Sequence, residues 1–232
     1  MDNIELLMNF GLTRQEASIY VLLVLEGSLS GYEVSKRSGI SRSNAYNALA
    51  CLVEKGAAYK TYEQAARYVP VPVKEFTANK IRMLQEAAQQ LEITLPNQRD
   101  ETANYMTITG KRQIEDKLKN LILETKERIY LSFSRERMVQ YQPFMEELVS
   151  RKIKVVIITD PPFELEGATV YFGDKKTKQI RVISDSRYVL TGAIQDDYNA
   201  TCLYSSNNNL VEVFKEALSN EIKLIQIKEG LE

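Results

Sequence analysis

Apolar residues in the first seventy positions recur at spacings of three and four, and short polar segments holding glycine or serine interrupt them. Thr13 and Glu16 stand at capping-box spacing, so a helix opens there with Ala17, Tyr20, Val21 and Val24 on its core side. Residues 30–49 then predict two short helices joined at Gly39. Val34 marks the apolar side of the first, Ser41 is placed to cap the second, and Ala45, Leu49, Leu52 and Val53 give the second an inward stripe. Its outward amino-terminal end gathers Arg42, Ser43, Asn44, Tyr46 and Asn47. That is the pattern of a helix-turn-helix, whose second helix reads base edges in the major groove with its first turns. Lys55-Gly56 ends the helix, and residues 57–62 and 67–71 predict two strands around a polar connection, 63–66, as a β-wing. Lys60 and Arg67 are placed for phosphates beside the groove, and Tyr62 or Tyr68 for hydroxyl contacts to the backbone. A protein-interaction module of the same shape is the alternative.

Between Pro72 and Pro96, Ile81, Leu84, Ala88, Leu91 and Leu95 form an a/d seam of about two and a half heptads. It is too short for an independent coiled coil and long enough to pair with a twofold mate once domains assist. A helix packed on its own domain is the other reading. Residues 97–104 predict a polar linker. After it the period changes: strands at 105–108, 128–134 and 154–159 alternate with helices at 111–127 and 138–151, a βαβ grammar. Strands near 168–172, 179–184, 187–193 and 200–204 precede a closing helix at 210–227. The expected architecture is an α+β amino-terminal winged helix-turn-helix (1–73), a helical dimerisation linker (74–96) and a carboxy-terminal α/β domain (97–232).

Composition narrows the function. The chain has 232 residues, 44% of them hydrophobic, and a formal net charge of −1, which argues against a protein that coats nucleic acid indiscriminately. Within 36–68, however, six cations (Lys36, Arg37, Arg42, Lys55, Lys60, Arg67) face two carboxylates (Glu54, Glu63), a local net of +4. Histidine is absent, which removes the usual general base and the commonest metal ligand. No phosphate-binding glycine loop occurs either, so the expectation is a non-enzyme without cofactor or metal. Cys51 and Cys202 lie in apolar patterns and read as buried thiols rather than a disulfide or redox pair. Neither a signal peptide nor an apolar run near 20 residues is visible, which sets the expectation of a cytoplasmic protein with no membrane partner.

The segments Phe10-Gly-Leu-Thr-Arg-Gln-Glu-Ala-Ser-Ile-Tyr, Ser38-Gly-Ile-Ser-Arg-Ser-Asn-Ala-Tyr-Asn-Ala-Leu and Glu54-Lys-Gly resemble the TrmB family of transcriptional regulators over about residues 4–75. The resemblance implies a winged-helix repressor or activator that binds operators as a homodimer and carries a carboxy-terminal regulatory domain. It also implies that residues 41–47 begin the DNA-reading helix. The second half is similar to the phospholipase-D-like domain found behind such winged helices, through Gly110-Lys-Arg-Gln-Ile-Glu and Arg128-Ile-Tyr-Leu-Ser. Catalytic members use His-x-Lys-x-x-x-x-Asp. Registered on Asp185 and Gly192, that motif meets Lys178 at the histidine position and Ile180 at the lysine position. The nucleophile is missing, so the resemblance implies the scaffold without phosphodiesterase activity.

These readings converge on a homodimeric regulator of double-stranded DNA. Arg42, Ser43, Asn44 and Asn47 would meet bases and Lys36, Lys60 and Arg67 phosphates, with Arg37, Ser41, Tyr46 and Tyr62 beside them. Candidates for a small-molecule effector site are Asp160, Asp185 and Arg187, with Asn199 weaker. Each has a plainer alternative, Asp185-Ser186-Arg187 as a hairpin turn and Asp160-Pro161-Pro162 as a strand terminus. The rival functions are a non-specific architectural or interaction module and a phospholipase-D-superfamily phosphodiesterase.

Overall fold

Side-chain caps set where the helices of the amino-terminal unit begin. Helix α1 (Asn3–Asn9) opens on an Asp2–Glu5 capping box. At α2 (Arg14–Glu26), Thr13 Oγ1 accepts the Glu16 N–H at 3.2 Å while the Glu16 carboxylate accepts the Thr13 N–H at 2.8 Å. After β1 (Leu29–Ser30), Ser30 and Glu33 repeat that exchange at the start of α3 (Gly31–Ser38). Gly39 then turns the chain at φ 72°, a left-handed conformation that favours glycine, and Ser41 Oγ accepts the Asn44 N–H to open α4 (Arg42–Glu54). The computed structural model describes residues 2–62, 66–95, 105–173, 179–194, 200–228 and 230. The expectations placed on Glu63, Pro96, the linker at 97–104, Lys178 and Asn199 fall outside them.

The wing follows as β2 (Ala58–Tyr62) and β3 (Ala66–Pro70), paired antiparallel from Ala58↔Pro70 to Tyr62↔Ala66. Strand β1 pairs with β3 on its other side, which gives the order β1-β3-β2. Ala17, Ile19, Tyr20, Leu23, Val34, Ala45, Leu49, Leu52 and Tyr68 share one core. Two expectations need correction. Val24 is exposed although its angle on α2 falls between those of the buried Ala17 and Tyr20: it stands in the last turn, past the buried residues of the helix, which end at Leu23. Tyr68 belongs to the core rather than to the outer face of the wing.

Helix α5 (Val73–Thr94) anchors by Phe76, which packs on Phe10 and Tyr20. Residues 81–95 are all exposed, the seam positions Ile81, Leu84, Ala88, Leu91 and Leu95 included, so this stretch does not pack on its own domain. Leu95 itself sits just past the helix, in extended conformation. The chain divides into two compact units, Met1–Asn97 and Gln98–Glu232.

In the second unit the elements are β4 (Tyr105–Thr109), α6 (Lys111–Glu124), β5 (Arg128–Ser132), α7 (Arg135–Ser150), β6 (Lys154–Thr159), β7 (Thr169–Phe172), β8 (Gln179–Ser184), β9 (Tyr188–Ala193), β10 (Thr201–Ser205) and α8 (Asn208–Lys228). They build a seven-stranded sheet ordered β4-β10-β9-β8-β5-β6-β7. Strands β5, β6 and β7 run parallel, with α7 as the β5–β6 crossover, and the remaining pairs are antiparallel. Alternation decides the two faces: Ile129, Leu131, Ile180 and Val182 pack under α6 and α7, whereas Ile158, Ile183 and Val189 pack under α8. The first predicted helix stops three residues early because Thr125 turns its hydroxyl to Leu121 O and Ser184 Oγ. The second starts three residues early, at Ser134, where Asp160 Oδ1 accepts the Arg135 N–H at 2.9 Å. No helix among the described residues is long and apolar enough to cross a membrane.

Candidate nucleic-acid interface

The rotation of α4 is fixed by Ala45, Ala48, Leu49 and Leu52, all buried, and this turns Arg42, Ser43, Asn44, Tyr46 and Asn47 outward. Arg42 lies with its guanidinium 4.8 Å over the ring of Tyr32, an exposed residue of α3. Sequence reasoning passed over Tyr32; its place in the first turn of α3, one helix before an outward arginine, was the available signal. The stack holds the guanidinium at the mouth of the exposed face. Tyr46 is exposed on one side only. Its ring fills the space that a Cβ on Gly31 would take, so it pins the first turn of α3 to α4.

Of the six cations in the basic window, three are held inside the unit. Lys55 Nζ lies 2.6 Å from the buried Glu16 carboxylate and donates to Gly11 O at 2.9 Å. Burial pushes the Glu16 carboxyl up, but Lys55 and the Thr13 N–H outweigh it and keep the group below the ordinary glutamate range. Arg37 pairs with Glu26. Arg67 donates to the Ser28 hydroxyl and carbonyl and lies 3.7 Å from Glu33, so it ties β3 to the turn before α3 rather than extending from the wing. Lys36, Arg42 and Lys60 remain outside those pairs. Lys60 sits 5.1 Å over the Tyr62 ring and 6.0 Å from that of Tyr68, and its hydrogen bond to Tyr62 raises its pKa. Tyr62 is three-quarters exposed. Tyr59 joins the wing to α5 by donating to Glu75 at 2.9 Å.

The carboxy-terminal candidates do not assemble into one site. Asp185 and Ser186, at φ 48° and 53°, form the turn between β8 and β9, and the Asp185 carboxylate accepts the N–H groups of Lys126, Glu127 and Arg128 at 2.8–3.0 Å. Burial raises its pKa, and those three donors more than reverse that. Asp185 therefore staples a turn to the start of β5, while Asp160 caps α7 at the opposite ends of the strands. Arg187 is exposed beside the turn. Ile180, at the lysine position of the phospholipase-D register, is fully buried under α6 and α7. Among the described residues no group of three metal-ligating side chains gathers.

Three helices locked by reciprocal caps, an outward polar helix start and a two-stranded wing define a winged helix-turn-helix domain. Residues 6–74 match the family model described as "Sugar-specific transcriptional regulator TrmB". This domain belongs to the TrmB family. Over nearly the whole chain, the uncharacterized protein YrhO of Bacillus subtilis (strain 168) is 26% identical, covering 97% of this chain and 86% of its own. A solved structure of TrmBL2, described as an archaeal chromatin protein with a novel mode of DNA binding, matches at 20% identity and a TM-score of 0.44, over 94% of this chain and 96% of the other. NucT from Helicobacter pylori matches at 15% identity and a TM-score of 0.40, over 52% of this chain and 97% of its own.

Proposed function

We propose that the chain is a homodimeric, sequence-specific DNA-binding transcriptional regulator, with α4 in the major groove, the wing on the flanking backbone and the carboxy-terminal unit as the regulatory element. The observation that carries this is the start of α4. Arg42, Ser43, Asn44 and Asn47 all face outward in a TrmB-family domain, and each offers the donors and acceptors that base edges require. Lys36 and Lys60 flank that face and suit phosphates. Pairing through the exposed α5 seam would double the contact set and fix the half-site spacing, as twofold readers do. A ligand that bound one dimer geometry better would then shift the population toward it. The chain acts by binding rather than turnover: it has no histidine, and a core isoleucine, Ile180, stands where the phospholipase-D motif has its lysine.

Selection of bound fragments from a genomic pool supplies the operator, and titration at several salt concentrations then tests the assignment. Arg42→Ala should cost about 1–3 kcal/mol per half-site and relax sequence choice, whereas Lys60→Ala should weaken all sequences alike and lower the salt slope by about 2, one phosphate per protomer of the dimer. If no sequence is enriched, the domain is a non-specific or protein-binding module. Parent-like binding by both variants would place recognition elsewhere on the domain.

A further inference from the structure

We propose that the face of the carboxy-terminal sheet beneath α8 holds a binding pocket for a small organic anion, a phosphate or carboxylate on a flat apolar body. Among the described residues, helices α6 and α7 cover one side of the sheet and α8 alone covers the other. A helix of 21 residues spans about 32 Å and is about 10 Å wide, too little to roof seven strands spaced about 4.8 Å apart. Between α8 and the strands lies a pocket of about 620 Å³, within the range of small-molecule sites.

The strand register explains its floor. Ile183, Tyr130, Val156 and Thr169 are successive cross-strand partners on β8, β5, β6 and β7, so they lie in one row on one face. Tyr171 stands one row further on, paired with Ile158. Two tyrosines among aliphatic side chains make a flat, largely apolar surface of the kind that stacks on a ring. The rim differs in character. Lys154 rises from the start of β6, and Lys215 and Lys223 descend from α8, against one carboxylate among the described residues, Glu216. Lys215 is paired outside with Glu212 at 2.8 Å, which leaves Lys154 and Lys223 as the stronger candidates for the anion. An excess of cations around an apolar floor, in a chain of net charge −1, selects a ligand with a negative head and a flat body. The site is separate from Asp160, Asp185 and Arg187.

This deepens the regulatory half of the function proposed above, and it is tested without DNA so that its failure leaves the DNA assignment untouched. Because the chain has no tryptophan, 1-naphthyl phosphate and 1-naphthoate can be followed by their own fluorescence anisotropy on the full-length protein. Both should saturate at one probe per chain, and neutral 1-naphthol should bind at least tenfold more weakly. Lys154→Ala with Lys223→Ala removes two exposed side chains and should weaken both anions at least tenfold while leaving naphthol unchanged. Asn220→Phe, at an exposed rim position and without adding a fluorophore that overlaps the naphthyl probes, should block all three probes, with an unchanged far-ultraviolet circular dichroism spectrum as the folding control. Equal binding of naphthol and the anions, parent-like binding by the lysine double variant, or no saturation at all would each overturn the proposal. Binding of one anion and not the other would support it and identify the head group.

Discussion

Glu16→Ala tests the central claim that some of the window's cations are structural. The carboxylate is buried, accepts the Thr13 N–H at 2.8 Å, and lies 2.6 Å from Lys55 Nζ, whose side chain is one-third exposed. Truncation leaves the Thr13 N–H without its acceptor, costing about 1 kcal/mol, and strips Lys55 of its counter-charge. A fully buried pair broken this way costs about 3–5 kcal/mol, but Lys55 retains Gly11 O and regains water, so about 2–3 kcal/mol is expected in total. Native-state hydrogen exchange on the intact chain reads this locally. Amides of α2 and α4 should exchange about 30- to 140-fold faster, and those of β5 and β6 as in the parent. The pH dependence has a fixed sign. Glu16 has its folded pKa lowered, so its contribution is complete above the unfolded value of about 4.3 and is lost as pH falls through the folded one. The gap between parent and variant should therefore hold at pH 7 and close only below about pH 4. An acceleration under threefold at pH 7 would refute the reasoning, as would a double-mutant cycle with Lys55→Met that shows no coupling.

Gly31→Ala should destabilise the amino-terminal unit by about 1–3 kcal/mol in the same exchange measurement, because the new methyl displaces the Tyr46 ring; parent-like exchange would mean that α3 and α4 separate freely. Leu84→Asp with Leu91→Asp, both on the exposed seam, should convert a dimer to a monomer in sedimentation equilibrium without loss of helical signal. A parent that sediments as a monomer would remove α5 from the proposed function.

What the sequence made legible was local. Thr13, Gly39 and Ser41 act within five residues of themselves, and the helix-turn-helix they bound could be read from spacing alone, whereas the Ser30–Glu33 capping box was passed over. The period predicts a strand at 128–134 without assigning its faces; the fold separates Ile129 and Leu131 from Tyr130. Partners distant in sequence were hidden. Lys55 meets Glu16 across 39 positions, Arg67 meets Ser28 across 39, and Asp185 reaches 126–128 across nearly 60, so charge counting alone made each look available. The strand order, with β10 between β4 and β9 and β8 beside β5, is a tertiary choice with no local signature. The pocket under α8 was invisible for the same reason: its floor joins positions 130, 156, 169 and 183.

The internal pairing of Arg37, Lys55 and Arg67 alters what the +4 window means for DNA. A cation already facing a protein carboxylate releases no DNA counterion unless that pair breaks, and breaking the Lys55 pair exposes Glu16 to the loss argued above. With Arg42 directed at bases, Lys36 and Lys60 are then the window's phosphate contacts, two cations per protomer. For a dimer this neutralises about four phosphates and gives a slope of log K against log salt near −4, where adding Arg37, Lys55 and Arg67 would give about −9. Replacing Lys55 by Gln should leave the slope unchanged while lowering stability, and replacing Lys60 should do the reverse. A parent slope near −9 would show that the ion pairs open on the operator, and the division of these cations into structural and DNA-facing sets would fail.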